Sequence, residues 1–93
     1  MNKAELIEEF GKRTGAASKA AAKRHVQAFI DIIVGEVVGG GEVRIGGLGV
    51  FEQVYRKGRK ARNPSTGEPI ETQGRKAPRF RASNDFKNQV AQQ

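Results

Sequence analysis

Residues 55–81 concentrate the chemistry of this chain. Nine lysines and arginines (Arg56, Lys57, Arg59, Lys60, Arg62, Arg75, Lys76, Arg79 and Arg81) stand there against two acids, Glu68 and Glu71. The other eight basic and eight acidic residues cancel, so the whole net charge of +7 belongs to this one segment. A neutral body with a cationic extension suits a polyanion, whose charges guanidinium and ammonium groups neutralise in series. In the middle of the segment, Arg62-Asn63-Pro64-Ser65-Thr66-Gly67-Glu68 reverses the chain. Asn63 at the first turn position, Pro64 with its fixed φ at the second, and Gly67 where a positive φ is needed fit a type I turn closed by glycine. The proline ring has almost nothing apolar beside it in sequence to pack against.

Other chemistries lack their parts. His25 is the single histidine, and no thiol or carboxylate pair is arranged around it, so it reads as a structural or surface residue. Glu8 and Glu9 are helix neighbours that point to different sides, a solvated face rather than an acid pair. Gly47-Leu48-Gly49 begins like a dinucleotide fingerprint, but Glu52 stands where the third glycine belongs. Gly41 to Gly46 has the Walker spacing, with Gly47 in place of the lysine. Two readings of these glycines stay open: exposed backbone N–H groups that hold a phosphate, or the steric need of a tight turn. Without cysteine there is neither a disulfide framework nor a thiolate metal site, and no metal, cofactor or enzymatic activity is expected. No apolar run approaches the roughly 18 residues of a membrane span. The opening Met1-Asn2-Lys3-Ala4-Glu5 lacks the apolar centre of a signal peptide, so a cytoplasmic protein with no membrane partner is expected.

The elements that must carry the basic segment follow from the pattern around it. Asn2 and Glu5 form a capping box for a helix whose Leu6, Ile7 and Phe10 share one face, and Thr14-Gly15 ends it. Ser18 caps a longer helix in which Ala22, Val26, Phe29, Ile30, Ile33 and Val37 make the spine of the core. Gly39-Gly40-Gly41 stops it. Val43-Arg44-Ile45 is a short strand, and the glycine-rich turn leads into a second strand from Val50 to about Arg56. That strand is apolar on both faces (Val50 and Val54; Phe51 and Tyr55), which requires cover from both sides. A two-stranded ribbon is expected from about Arg56 up to the turn and back to Arg75; with no apolar face to bury, it should be mobile when free. Phe80, between Arg79 and Arg81, returns the strand to the body. Ser83-Asn84-Asp85 then caps a short last helix with Phe86 and Val90 one turn apart.

These elements make one α+β domain over residues 1–93: a helical base and sheet (1–55), a β-ribbon arm (56–75), and a return strand with a C-terminal helix (76–93). Setting aside the arm leaves 73 residues carrying Phe29, Leu48, Phe51, Phe80 and Phe86. So small a body with so much apolar surface is expected to complete its core by dimerising.

The order of elements, the string Gly47-Leu48-Gly49-Val50-Phe51-Glu52 and the arm motif from Arg62 to Glu68 resemble the bacterial HU / integration host factor family of histone-like DNA-binding proteins. The likeness runs from Met1 to the final helix. It implies an intertwined dimer with a helical base, a small antiparallel sheet and two extended β-ribbon arms that reach around DNA. It further implies that Pro64 wedges between base pairs in the minor groove, with Arg62 and Asn63 as tip contacts. Arg56 and Arg59 correspond to arm positions that grip the backbone, and Lys60, Arg75, Lys76 and Arg79 extend the same basic surface. Gly47 corresponds to a body turn near phosphate, Lys3 and Arg81 to basic flank contacts, and Phe51 and Phe80 to the aromatic dimer core, with Phe29 and Leu48 beside them. The chain departs from the family at Ser83-Asn84, where Gly-Lys is usual, at Ala21, where an acid is frequent, and at Leu48, which replaces a phenylalanine. The implied partner is double-stranded DNA, preferably nicked, kinked or otherwise distorted, bound with little sequence preference by a nucleoid-associated homodimer. The alternatives are a heterodimer with a paralogue, a sequence-selective bender like integration host factor, and a basic module for RNA or acidic proteins.

Overall fold

Capping and glycine placement set the element boundaries. In the computed structural model, which describes residues 1–71 and 73–93, Asn2 Oδ1 accepts from Glu5 N at 2.9 Å and opens helix α1, Lys3–Thr14. Gly15, at φ +65°, closes it by donating its N–H to Gly11 O. Ser18 Oγ accepts from Ala21 N at 3.1 Å at the head of α2, Lys19–Val38. Strands β1 (Glu42–Ile45), β2 (Gly49–Arg56), β3 (Lys60–Arg62), β4 (Pro69–Glu71) and β5 (Arg75–Ala82) follow, and Ser83 caps α3, Asn84–Ala91, by accepting from Phe86 N at 3.2 Å. No helix among the described residues is long and apolar enough to cross a membrane.

The chain divides into two units. In Met1–Gly35, Ile7, Ala22 and Val26 form the buried centre, with Phe10, Ala16 and Ile30 packed against it. A Cβ on Gly11 would come within 3.3 Å of Ala22 Cβ, so the two helices approach through small residues. Phe29, expected in the core spine, is 54% exposed in the single chain. Its place in the three-and-four spacing is real, but the neighbouring residues leave that part of the helix uncovered.

In Glu36–Gln93, an antiparallel sheet of order β1-β2-β5 is built on the central strand β2. The pairing runs from Gly49 opposite Ala82 to Arg56 opposite Arg75. Gln53 ties this strand to the end of α2 by donating to Val37 O at 3.0 Å. Gly47 (φ +81°) makes the β1–β2 turn, and Gly49 (φ +154°) lies against β5, where a Cβ would run into the Arg81 carbonyl and the Phe80 ring. Of the two readings of these glycines, the steric one therefore holds for Gly49. Among the described residues the buried hydrophobic side chains are all small or aliphatic (Ile7, Ala21, Ala22, Val26, Val37), while Val38 and Val90 are more than half exposed.

The arm differs from one continuous ribbon. Among the described residues, the pairing of the body sheet reaches Arg56 opposite Arg75, and a separate two-stranded sheet pairs Lys60 with Glu71 and Arg62 with Pro69. Gly58 and Gly74 lie between the two sheets, where glycine brings no side chain of its own to pack across the strands.

Candidate nucleic-acid interface

Side chains on directly paired residues share a sheet face, because successive residues in a strand point to opposite sides. The register therefore sorts the basic residues of the sheet. Arg44 on β1, Arg56 on β2, and Arg75, Arg79 and Arg81 on β5 fall on one face, together with Val50, Val54 and Ala77. Phe51, Phe80 and Val43 fall on the other, where the two rings meet at 4.8 Å with their planes tilted by 43°. One strand pair thus separates an arginine face from an aromatic face, residue by residue.

Two acids lie within the arginine face. Glu52, on the central strand with its side chain only 14% exposed, accepts from Arg79 Nε at 2.8 Å and from Arg81 Nε at 2.9 Å. Arg79 Nη2 adds a further contact to the same oxygen, and Arg81 Nη2 reaches the other at 3.3 Å. The hydrogen bonds from Arg79, then those from Arg81, hold the Glu52 carboxyl below the usual glutamate range. On β1, Glu42 accepts from Arg44 Nε at 2.7 Å, and that hydrogen bond raises the arginine further above neutrality. With five guanidinium groups to two carboxylates, the face carries an excess of positive charge. At its end, Arg44, Val50 and Arg81 line a shallow depression with Gly46, Ser83 and Asn84. Ser83 N donates to Leu48 O at 2.9 Å, which fixes the start of α3 against the β1–β2 turn.

The arm tip is closed by its own hydrogen bonds. Asn63 N donates to Glu68 O at 2.8 Å, and Gly67 N to Asn63 O at 2.7 Å, with Gly67 at φ +72° as the turn chemistry requires. Asn63 Oδ1 accepts from Ser65 N at 2.9 Å, an Asx turn around Pro64. The Pro64 ring is left exposed at the apex.

The model of the family described as bacterial DNA-binding protein matches residues 1–91. The chain belongs to the bacterial DNA-binding protein family. It is 43% identical over 91 residues to DNA-binding protein HU 2 of Streptomyces coelicolor, of whose length it spans 41%. It is 37% identical over 90 residues to DNA-binding protein HU-beta 2 of Neisseria meningitidis, and there the match covers 97% of this chain and 98% of the relative. Among solved structures, HU in an Anabaena HU-DNA cocrystal superimposes with a TM-score of 0.85 at 34% identity, covering 98% of both chains. HU from Thermotoga maritima gives 0.65 at 26% identity, covering 97% and 98%. The helices, antiparallel sheets and extended arm are those of the α+β HU fold.

In this member of the bacterial DNA-binding protein family, the sites expected from sequence are distributed as follows. Arg56, Arg75, Arg79 and Arg81 come together on the sheet face, and Lys76, opposite Tyr55, falls on the aromatic face instead. Arg59 lies between the two sheets, Lys60 and Arg62 on β3, and Lys60 Nζ is 3.9 Å from the Glu71 carboxylate. Asn63 and Pro64 form the tip, and Gly47 is exposed in the body turn. Lys3, in the other unit, donates to Gln27 Oε1, whose Nε2 donates in turn to Asp31 at 2.7 Å. Phe51 and Phe80 pair, Leu48 is half-buried, and Phe29 has no comparable ring contact among the described residues. Arg44 was not expected. Its alternation in Val43-Arg44-Ile45 was visible, but which face it shared required the pairing of β1 with β2.

Proposed function

We propose that this chain is an architectural DNA-binding protein: a dimer that bends duplex DNA without catalysing a reaction. The observation that carries the proposal is the likeness, over 98% of the chain, to HU in a cocrystal with DNA. The layout of charge fits it. Five arginines share one sheet face, and the arm beyond it carries Arg59, Lys60 and Arg62, cationic groups suited to the phosphate backbone. Such contacts are indifferent to sequence. At the arm tip Pro64 presents an exposed apolar ring, and an opened base step offers it apolar surface. Opening a step costs a few kcal/mol in the family's own mode of binding, and the extra contacts that a bent duplex makes offset that cost. The aromatic face, and separately the exposed Phe29, Ile32 and Val34 of the helical unit, each offer apolar surface to a second copy of the chain. The proposal includes a cytoplasmic, nucleoid-associated location and a preference for nicked or kinked duplexes, in which part of the deformation has already been made.

Gel shift on nicked, kinked and intact linear duplexes of one sequence, challenged with heparin, tests it. Complexes on the distorted duplexes should survive heparin concentrations that strip the linear one. Equal survival on all three, or preferential transfer to RNA or to acidic protein, would overturn the architectural reading.

A further inference from the structure

Gly74 is half-buried, although Gln73, Arg75 and Lys76 beside it are exposed. Its cover comes from the opposite strand. A Cβ on Gly74 would lie 2.6 Å from Tyr55 Cζ, closer still to Tyr55 Oη, and 2.8 Å from the Arg56 carbonyl oxygen. The tip of the tyrosine ring therefore stands where any other residue would carry its side chain. Gly74 does not have a positive φ, so what the position requires is space alone. The register explains how the ring reaches it. Tyr55 is directly paired with Lys76, which makes Gly74 its diagonal neighbour on the same sheet face, within reach of a long aromatic side chain. The remainder of Tyr55 is open to solvent, at 66% exposure, so the contact does not serve to fill the body. It falls instead at the root of the arm: Tyr55 and Arg56 end β2, and Gly74 immediately precedes β5.

From this geometry we infer that Tyr55 is a positioning residue for the arm: its ring, seated on Gly74, pins the returning strand to the outgoing one and fixes the direction in which the arm leaves the sheet. The inference rests on the DNA-binding reading above. Tyr55 acts through the arm, whose Arg59, Lys60 and Arg62 make the contacts. A pinned root leaves less of the arm's freedom to be lost on binding, so affinity gains without any new contact to the duplex. The gain is the equilibrium weight of one cross-strand pair, about two- to fivefold.

The composition of the chain makes the test clean. Tyr55 is its one tyrosine and there is no tryptophan, so intrinsic emission reports on this ring alone. There is no cysteine either, so Ser65→Cys takes a single dye at the arm tip, whose motion is read by time-resolved anisotropy. Gly74→Ala puts a methyl group into the seat, Tyr55→Ala removes the ring, and Tyr55→Phe keeps Cζ over Gly74. Acrylamide should quench Tyr55 more strongly in Gly74→Ala than in wild type. Gly74→Ala and Tyr55→Ala should each enlarge the fast motion of the tip dye and weaken binding to a nicked duplex by about two- to fivefold, with thermal melts unchanged. The two changes combined should weaken binding no further than the larger single effect, and Tyr55→Phe should match wild type in motion and affinity. Equal quenching in wild type and Gly74→Ala, or wild-type tip motion or affinity in Tyr55→Ala, overturns the inference and leaves the DNA-binding reading intact. So does a lowered melting temperature with unchanged tip motion, which would make the pair a contact of the body, or a loss in Tyr55→Phe equal to that in Tyr55→Ala, which would assign the effect to the hydroxyl. Failure of wild type to bind the duplex counts instead against the DNA-binding reading.

Discussion

Replacing Phe51 by alanine separates a body that is complete alone from one completed by a second copy. Phe51 and Phe80 are directly paired across β2 and β5, with ring centroids 4.8 Å apart. Truncating a fully enclosed phenylalanine costs about 3–5 kcal/mol, of which the ring–ring contact accounts for about 0.5–1.5 kcal/mol. In the single chain the enclosure is incomplete: Phe80 is 42% exposed and Phe51 half-buried. A lone protomer would therefore lose only part of the transfer free energy of the side chain, about 2 kcal/mol or less. A second copy lying over the aromatic face restores the full cost and makes unfolding depend on protein concentration. The assay is urea denaturation of wild type and Phe51→Ala at two concentrations about fiftyfold apart. The expected outcome is a loss of about 3–5 kcal/mol together with a midpoint that rises with concentration in both proteins. A loss below about 2 kcal/mol with midpoints independent of concentration would refute the dimer reasoning.

Three further outcomes follow from the same geometry. Gly49→Ala should destabilise the fold by about 1–3 kcal/mol or more, because its Cβ meets the Arg81 carbonyl and the Phe80 ring and neither can retreat freely; thermal denaturation measures it, and an unchanged midpoint would mean that β5 gives way. DNA affinity should fall with salt with a log–log slope of about −5 to −9 for roughly six to ten neutralised phosphates, and Arg56→Ala should make it shallower by about one for each copy of the contact removed. Glu52 is held below its ordinary pKa by Arg79 and Arg81, so its ion pairs contribute fully above the usual glutamate value, about 4.3, and are lost as pH falls through the lowered folded value. Thermal melts between pH 6 and pH 3 should therefore show a steeper loss of stability below roughly that value in wild type than in Glu52→Gln; parallel curves would show that Glu52 does not carry it.

Local signals in the sequence were enough for the helix starts and for the arm tip. Asn2, Ser18 and Ser83 cap their helices through single hydrogen bonds to residues three positions on, and Gly67 takes the positive φ that its place in the turn demands. Each of these is decided within five residues. Pairing over longer distances was not legible. Glu52 meets Arg79 and Arg81 from 27 and 29 residues away, and nothing in Phe51-Glu52-Gln53 signals it. The division of the basic residues between faces has the same origin: Arg44 joins the arginine face and Lys76 leaves it according to a register that a one-residue slip would invert. Charge counting treated the basic segment as one surface, while the pleat divides it. The break between the two sheets of the arm was equally hidden, since Gly58 and Gly74 are compatible with a strand as well as with a gap.

The bend itself is the most direct test. End-to-end fluorescence transfer on a duplex of about three helical turns compares wild type with Pro64→Ala at matched saturation. Alanine tolerates the same φ, and Asn63 and Gly67 still close the turn, so the effect on arm shape should stay within about 1 kcal/mol. Arg56, Arg59 and Arg62 remain to hold the backbone, so binding to linear DNA at low salt should persist in both proteins. The predicted result is a marked shortening of the duplex by wild type and a smaller one by Pro64→Ala. A duplex that keeps its free length when saturated with wild-type protein would contradict the architectural function, and equal shortening by both proteins would reduce Pro64 to a residue of the turn.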